Sequence, residues 1–416
     1  MRLTRSLTYI IGSMLLGGCR APDPELLQAK TTTVPVVLTD KTYSVSEFAL
    51  NWTMKKNFGF AGSAGVFMVA GGENGLSPAN ETSIFKYDPV GTSFAKTIVA
   101  QSYGALGRSF FPTVASSFTQ SATQTFALFG GASFVEVTKA KGLRSDLLSV
   151  VDSLGGGLFL GGLEASGISA RSGSCMVGLP GGGYFIFGGE NLGTAVDGGV
   201  IFQDSKEILL LPASEAPPAR WAHGCVYNPN DGLVYIFGGL TNSGAATSVF
   251  TFNRQTWRWG AVGDINPAKF GFYYYAQLGA RLVVVSEGLS NHQLEASMIS
   301  ATGITHPPLI FSEGVFRSSS LPYGAGELAP PRQAGSFKGG CIVVPVTGSG
   351  GMPKLQEFCL QNDSLEATSA LESLANQGVQ VGVFTVLSND FAIYVGSKSF
   401  YGDPLTGGRG VVLQKR

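Results

Sequence analysis

Four arginines occupy the same place in the sequence pattern, because each of them opens a short apolar segment that predicts a β-strand. They are Arg108 (RSFFPTVASSF), Arg171 (RSGSCMVGL), Arg220 (RWAHGCVYN) and Arg332 (RQAGSF). A guanidinium group binds a carboxylate or phosphate through two parallel hydrogen bonds. If the four strands are equivalent, these arginines form a ring that would hold an anionic ligand. In the alternative, each guanidinium donates to backbone carbonyls or to an acid such as Glu73 or Glu190.

Histidine is scarce, and this limits the chemistry that the chain can perform. The three histidines are His223, His292 and His306, and no two of them stand at a spacing that suits a metal site. We therefore predict neither a metal nor a cofactor. One combination suggests acid–base chemistry, in which Arg220 orients an acidic substrate while Glu190 or His223 exchanges a proton. The favoured alternative for His223 is a structural role.

Four cysteines lie in the body of the chain, and their spacing predicts two different states. A turn centred at residue 350 pairs positions whose numbers sum to 700, as those of Cys341 and Cys359 do. Residues that face each other across a hairpin can form a disulfide, and two buried thiols are the alternative. Cys175 and Cys225 each precede a glycine pair by the same 13 residues. We expect this second pair to be separate core thiols on neighbouring strands.

Two adjacent glycines end four apolar segments, as in LVYIFGGLTN (233–242). The second glycines of successive pairs are 59, 58 and 50 residues apart, a period typical of propellers and repeat arrays. Glycine adopts backbone conformations closed to other residues and lets neighbouring backbone approach closely. We interpret the pairs as structural elements that end a strand: Gly71, Gly72, Gly130, Gly131, Gly188, Gly189, Gly238 and Gly239.

The repeat resembles the kelch repeat, a four-stranded propeller blade. In that family two glycines end the second strand, an aromatic residue lies in the third and a tryptophan in the fourth. Gly238, Gly239, Phe252 and Trp257 match this scheme, and the copy around Tyr87 lacks the tryptophan. The resemblance covers most of residues 55–416 and implies an all-β kelch-type propeller over residues 42–416. The spacing of predicted strand ends indicates seven blades, with six as the alternative.

Two segments depart from the regular strand pattern. The final predicted blade has only RGVVLQKR (409–416) left for its outer part, and an open sheet edge is a pairing liability. We therefore expect an N-terminal strand, from TVPVVLT (33–39) or YSVSEFALNW (43–52), to close the ring. Elsewhere, leucines at 365, 371 and 374 predict a short helix over residues 363–377.

Residues 1–18 have the layout of a signal peptide, because two arginines precede an apolar stretch that ends in small residues. This stretch is too short to span a bilayer as a helix. LGGC (16–19) resembles the lipobox of bacterial lipoproteins, which implies cleavage before Cys19 and acylation of Cys19. The alternative is an ordinary secretion signal. Residues 19–41 contain three prolines and predict a flexible tether.

The charge composition limits the classes of partner that the chain is expected to bind. The chain has 28 basic and 28 acidic residues and a formal net charge of zero, which gives no support for a nucleic-acid partner. The absence of a recognisable catalytic set favours a monomeric binding or scaffolding module over an enzyme. We expect a lipid-anchored protein of the bacterial cell envelope, at the outer rather than the inner membrane because Arg20 follows the cysteine. Its ligand would be an anionic protein or glycan. The alternative, from the same resemblance, is a periplasmic enzyme similar to the sialic-acid mutarotases.

Overall fold

The computed structural model describes residues 167–310 apart from 204–206, 268–272 and 289–293, and elsewhere the strands between residues 38 and 415 with a few adjoining positions. Every regular element in these ranges is a β-strand, and none is a helix. The strands form seven sheets of four or five strands together with four two-stranded hairpins. The chain is therefore all-β in the part that the structure describes.

Four sheets share one antiparallel order in which the strands follow the chain across the sheet. The first sheet contains β3 (Gly59–Ser63), β4 (Val66–Ala70), β7 (Thr82–Asp88) and β8 (Ser93–Ile98). The second contains β9 (Thr113–Ser116), β10 (Thr125–Phe129), β13 (Asp146–Val151) and β14 (Gly157–Gly162). The third contains β15 (Cys175–Gly178), β16 (Tyr184–Phe187), β19 (Gly199–Phe202) and β20 (Ile208–Leu210). The fourth contains β21 (Gly224–Asn228), β22 (Leu233–Phe237), β25 (Ser248–Asn253) and β26 (Arg258–Asp264).

Two further sheets add a short parallel strand to the same antiparallel order. The fifth contains β27 (Tyr274–Leu278), β28 (Arg281–Glu287), β29 (Leu294–Ser300) and β30 (Gly303–Thr305), with β32 (Arg332–Gln333) parallel to β27. The sixth contains β33 (Gly335–Phe337), β34 (Cys341–Thr347), β35 (Pro353–Gln361) and β36 (Ser364–Leu371), with β31 (Leu309–Ile310) parallel to β36.

The remaining sheet joins the two ends of the chain, and we call it the closing sheet. Its strands are β37 (Val381–Ser388), β38 (Phe391–Ser397), β39 (Gly408–Lys415), β2 (Tyr43–Leu50) and β1 (Leu38–Thr39). Strand β2 pairs with β39 over their whole length, from Tyr43 opposite Lys415 to Leu50 opposite Gly408. An N-terminal strand therefore covers the edge that the C-terminal strand would leave open, as the sequence predicted.

The sheets follow one another around a ring. First strands of neighbouring sheets are in contact from β3 through β9 and β15 to β21, and from β27 to β33. The closing sheet contacts the sixth sheet through β38 and the first through β37. A cluster that includes Tyr235, Phe237, Tyr273 and Val284 fills the space between the fourth and fifth sheets. This is the arrangement of a β-propeller, with the apolar core divided among the spaces between sheets.

The helix predicted over residues 363–377 is wrong in the part that the structure describes. Residues 364–371 form β36, which pairs with β35 on one side and β31 on the other. Leu365 is fully buried in the core between the fifth and sixth sheets. Pairing on both edges therefore outweighs the helical spacing of the leucines, because local propensity is weaker than tertiary contacts. Residues 372–377 lie outside the described ranges.

One aromatic assignment also changes. Phe252 lies in the third strand of the fourth sheet and is buried, as predicted. Trp257 lies instead in the turn before β26, with a backbone φ of 57°. Trp259 is the tryptophan of the fourth strand, and its ring packs between Phe187 and Phe252. The two tryptophans are two residues apart, so the sequence pattern alone did not separate strand from turn.

Candidate functional site

Four small hairpins lie on one face of the ring. They are β5–β6 (Glu73–Asn74, Ser77–Pro78), β11–β12 (Ala132–Val135, Ala140–Leu143), β17–β18 (Glu190–Asn191, Thr194–Ala195) and β23–β24 (Leu240–Thr241, Gly244–Ala245). Each joins the second strand of its sheet to the third. In an antiparallel sheet these connections all leave at the end opposite the turn between the first and second strands. We call the surface that these four hairpins form the hairpin face.

The glycine pairs are the points at which the chain leaves a second strand for this face. Gly130, Gly131, Gly188, Gly189, Gly238 and Gly239 all have φ between 62° and 120°. A β-carbon on Gly188 would lie 2.5 Å from the carbonyl oxygen of Arg220. Both the backbone conformation and the close approach of the next sheet therefore require glycine there. Gly71 and Gly72 lie outside the described residues.

Arg171 is turned into the protein at the base of the hairpin face. Its side chain is 4% exposed. The guanidinium donates to the carbonyl oxygens of Ser169 (2.9 Å), Gly188 (3.1 Å) and Asp197 (3.2 Å), and to Oγ of Ser169 (3.0 Å). Burial lowers the pKa of Arg171, and the nearby Asp197 opposes this shift. This arginine holds together the two ends of the connection between β16 and β19.

Arg220 has the same role in the fourth sheet and is completely buried, with 0% exposure. Its guanidinium donates to the carbonyl oxygen of Ser248 (2.9 Å), to Oγ of Ser248 (2.9 Å) and to the carbonyl oxygen of Pro218 (3.3 Å). Burial lowers the pKa of Arg220 to about 10, and Tyr273 acts in the opposite direction. The group therefore remains a cation at neutral pH, and the dipoles of these backbone carbonyls stabilise its charge.

The predicted ring of ligand-binding arginines is not what Arg171 and Arg220 form. Both guanidinium groups are bonded to backbone carbonyls, which is the structural alternative that the sequence left open. Arg108 lies outside the described residues, and of Arg332 only the backbone, in β32, is described. Any contribution from the predicted arginines to a ligand site on this face would have to come from those two positions.

The three candidate acid–base residues do not converge on a shared opening. His223 is 2% exposed, and its ring stands edge-on to Phe187 at the contact between the third and fourth sheets. Neither of its ring nitrogens has a hydrogen-bond partner among the residues that the structure describes. Its pKa lies well below the ordinary histidine value, because of burial first and the Arg220 cation second. A neutral, enclosed imidazole cannot exchange protons with a substrate, so the enzyme hypothesis loses its main residue.

Glu190 is committed to its own hairpin. Its Oε1 accepts a hydrogen bond from Oγ of Ser172 at 2.8 Å, and its Oε2 accepts one from the backbone N–H of Gly193 at 2.6 Å. Strand pairing between Ser172 and Glu190 attaches the hairpin to the segment that leads into the third sheet. The carboxylate thus shapes the loop instead of facing the buried His223.

The described exposed residues of the hairpin face lie at the tips of the hairpins of the third and fourth sheets. Leu192 is 81% exposed with φ of 50°, between the two strands of its hairpin. The next hairpin along the ring touches this one, because Oδ1 of Asn242 accepts a hydrogen bond from the backbone N–H of Ala195 at 2.8 Å. Trp221 pairs with Leu240 and anchors that second hairpin in turn. The hairpins of the third and fourth sheets are therefore joined, and no sequence motif indicated this contact because the residue types at the tips differ between repeats.

Both cysteine pairs in the body of the chain are disulfides. Cys341 lies directly opposite Cys359 in the β34–β35 pairing, and the two are bonded, as the hairpin register predicted. Cys175 and Cys225 are also bonded, across 5.7 Å between their Cα atoms. The expectation of two separate thiols is therefore wrong. The first strands of neighbouring propeller sheets run side by side, which brings equivalent positions within bonding distance.

One buried carboxylate was not predicted from the sequence. Glu357 is 3% exposed and stands on the same strand as Cys359. Within the described ranges, Cys341, Glu357 and Cys359 form the one group of three potential metal ligands, but the two sulfurs are bonded to each other. The sequence feature that could have indicated this buried acid is a glutamate among the apolar residues of the strand segment LQEFCLQ (355–361).

No helix long and apolar enough to cross a membrane occurs in the described residues.

Comparison with known proteins adds no family assignment. No protein-family model matches the chain. No curated protein matches it either. The functional conclusion therefore rests on the fold and the hairpin face by themselves.

Proposed function

We propose that this chain is a kelch-type propeller that serves as a binding or scaffolding module of the bacterial envelope, anchored through lipid on Cys19. The hairpin face would receive a protein or a glycan. The observation that carries this proposal is the row of hairpins that four consecutive sheets present on one side, with exposed tips in the third and fourth sheets. The kelch type is supported by the double glycines with positive φ and by Phe252 and Trp259 in the third and fourth strands.

The surroundings of the candidate catalytic residues also support a binding role. Arg220 and His223 are enclosed, and Glu190 is bonded within its own hairpin. A propeller fold hosts many activities, so function must be inferred from the site rather than from the fold. The exposed tips offer an apolar side chain beside amide and hydroxyl groups. That combination is found at protein and sugar interfaces.

Site-specific photocrosslinking in the producing bacterium tests the binding surface. A photoreactive residue at Leu192 reports on the hairpin face. The same residue at Leu210, which is 56% exposed on the outer strand β20, is the matched control. We expect a discrete crosslinked product at position 192 and none at 210. Equal or absent products at both positions would refute a binding role for this face.

The anchor is tested separately. Metabolic labelling with an alkyne fatty acid is expected to tag the wild-type chain and to fail in Cys19→Ala. Cys359→Ala is the control that retains labelling. Labelling that persists in Cys19→Ala would remove the lipoprotein part of the proposal. It would leave the hairpin face as a candidate binding surface.

A further inference from the structure

The two disulfides differ in access to solvent. Cys175 and Cys225 are both buried between the third and fourth sheets, within an apolar cluster that includes Phe187 and Trp259. Cys341 is buried as well, at 3% exposure, but its partner Cys359 is partly exposed. A thiolate can attack a disulfide only where it reaches one of the sulfur atoms. Of the four bonded sulfurs, the one at Cys359 is the accessible point of attack.

We propose that Cys341–Cys359 is a reversible thiol-exchange site, attacked at Cys359, that controls how firmly the ring is closed. The co-reactant is a dithiol. One of its thiolates attacks Sγ of Cys359, the disulfide breaks, and Sγ of Cys341 leaves with the electron pair and takes a proton from water. The second thiol then attacks the mixed disulfide and releases Cys359. The protein disulfide gains two electrons and two protons, and the dithiol becomes a disulfide.

The surroundings of the two sulfurs suit these roles. The carbonyl oxygen of Gly339 lies 3.7 Å from Sγ of Cys341, within hydrogen-bonding reach of the thiol that forms there. Oγ1 of Thr368 lies 3.4 Å from Sγ of Cys359. Thr368 is therefore a direct neighbour of the attacked sulfur. Neither contact depends on the Cys175–Cys225 pair, which lies in other sheets.

Thr368 connects this disulfide to the seam between the sixth sheet and the closing sheet. Its hydroxyl donates to Oε2 of Glu357 at 2.9 Å. The other oxygen of that carboxylate accepts hydrogen bonds from the hydroxyl of Tyr43 and from Nζ of Lys415, the latter at 2.7 Å. Tyr43 and Lys415 are paired residues of β2 and β39, the strands from opposite ends of the chain. One buried carboxylate thus holds both of these strands against the sixth sheet.

Breaking the disulfide would disturb that carboxylate. Bonded sulfurs stand about 2 Å apart, whereas two thiols must separate to van der Waals contact at roughly 3.5 Å or more. Cys341 is enclosed, so the displacement falls on Cys359. The neighbour in its way is Thr368, whose hydroxyl positions Glu357. Reduction is therefore expected to loosen the hold of Glu357 on β2 and β39.

Differential alkylation of the full-length wild-type chain tests the exchange site. The protein is exposed to low concentrations of dithiothreitol for increasing times, quenched with iodoacetamide and digested for mass spectrometry. We expect Cys341 and Cys359 to be alkylated at least about tenfold faster than Cys175 and Cys225. Cys19 falls on a separate peptide and does not interfere. Equal rates, or faster reaction of Cys175 and Cys225, would overturn the proposal.

The direction of attack and the effect on the seam have their own readouts. With reduced glutathione as the probe, the first adduct is expected on Cys359, with Cys341 free to be alkylated; an adduct mainly on Cys341 contradicts the proposal. In the selectively reduced chain, amide hydrogen exchange in residues 408–415 is expected to accelerate about threefold or more, with 258–264 unchanged. No change in 408–415, or equal acceleration of both segments, would remove the link to ring closure. Thr368→Val is expected to reduce the difference in amide hydrogen exchange of residues 408–415 between the oxidised and reduced chains.

Discussion

The segments that lead into the third and fourth sheets share a buried arginine but differ in the polar residue three positions later. Each begins with a buried arginine, Arg171 or Arg220, that binds the carbonyls of its own sheet. Three residues later the third sheet has Ser174 and the fourth has His223. Oγ of Ser174 donates to the carbonyl oxygen of Gly188 at 2.8 Å, whereas neither ring nitrogen of His223 has a hydrogen-bond partner in the described part of the chain. At equivalent positions, the polar side chain of the third sheet has a hydrogen-bond partner, and that of the fourth sheet has none among the described residues.

The residue type, but not the left-handed backbone conformation, differs at the position just before these two residues. Gly173 has φ of 62° in the third sheet, and its counterpart in the fourth is Ala222 with φ of 50°. The two are in contact, because the N–H of Ala222 donates to the carbonyl oxygen of Gly173 at 2.8 Å. An L-residue in this region carries about 1–2 kcal/mol of strain. The arginine and the glycine pair thus define the repeat, while the residues between them tolerate both strain and an unsatisfied polar group.

The largest expected effect comes from a glycine at the contact between the two sheets. In Gly188→Ala the new methyl group would lie 2.5 Å from the carbonyl oxygen of Arg220 and 2.6 Å from Cε1 of His223. We expect a loss of roughly 3 kcal/mol or more in the free energy of unfolding, measured by denaturant titration. Gly193→Ala is the control, since it also has positive φ but no described atom within 4 Å. A similar loss in both variants would mean that backbone conformation alone, not the close approach, requires Gly188.

Removing either arginine is expected to come next. Arg220→Ala and Arg171→Ala each leave several buried carbonyls without a donor, which should cost about 3 kcal/mol in the free energy of unfolding. Arg220→Lys should recover little, because a lysine lacks the planar fork. Arg258→Ala, at an exposed position of β26, should change stability by less than about 0.5 kcal/mol. If Arg220→Ala were no worse than Arg258→Ala, a ligand role for the buried arginines would have to be reconsidered.

The buried histidine predicts a pH dependence that Ser174 cannot show. The pKa of His223 is depressed in the folded chain, whereas an unfolded histidine titrates near about 6.5. The unfolded state therefore binds the proton first, and stability should fall as the pH drops below that value, by roughly 1–2 kcal/mol between pH 7.5 and 5. In His223→Phe, the part of this pH dependence that His223 contributes to the free energy of unfolding should disappear. His306→Phe is the control, and an unchanged slope in His223→Phe contradicts the assignment.

The smallest expected effects belong to a reciprocal exchange at the strained position. Ala222→Gly should raise the free energy of unfolding by about 0.5 kcal/mol, because relief of strain exceeds the entropy that glycine adds to the unfolded chain. Gly173→Ala should lower it by about 1 kcal/mol, since its new methyl group would meet Trp221 at 3.4 Å in an unfavourable φ region. Thermal denaturation of both variants measures these two opposite changes in stability. Shifts of the same sign would show that the two positions are not equivalent.

The repeat pattern predicted the fold well and the site poorly. Glycine pairs such as Gly188–Gly189 recur at a fixed place after apolar segments, so the all-β class, the propeller ring and closure by an N-terminal strand followed from the sequence. Pairing of Cys341 with Cys359 followed from one hairpin register. The direction of the Arg171 and Arg220 side chains did not follow. An arginine at the start of a first strand is compatible both with a ring that binds an anionic ligand and with hydrogen bonding to backbone carbonyls.

What the sequence by itself determined is periodic and local: strands, glycine turns and a hairpin register, because each depends on neighbours within one repeat. The tertiary structure decided what depends on contacts between segments that are distant in the chain or lie in different sheets. It bonded Cys175 to Cys225, enclosed His223 and converted residues 364–371 from a predicted helix into β36. It also brought Glu357 together with Tyr43 and Lys415, which stand 314 and 58 residues away along the chain. The physical reason is that pairing and burial between distant segments exceed any local preference, and a linear pattern contains no record of them.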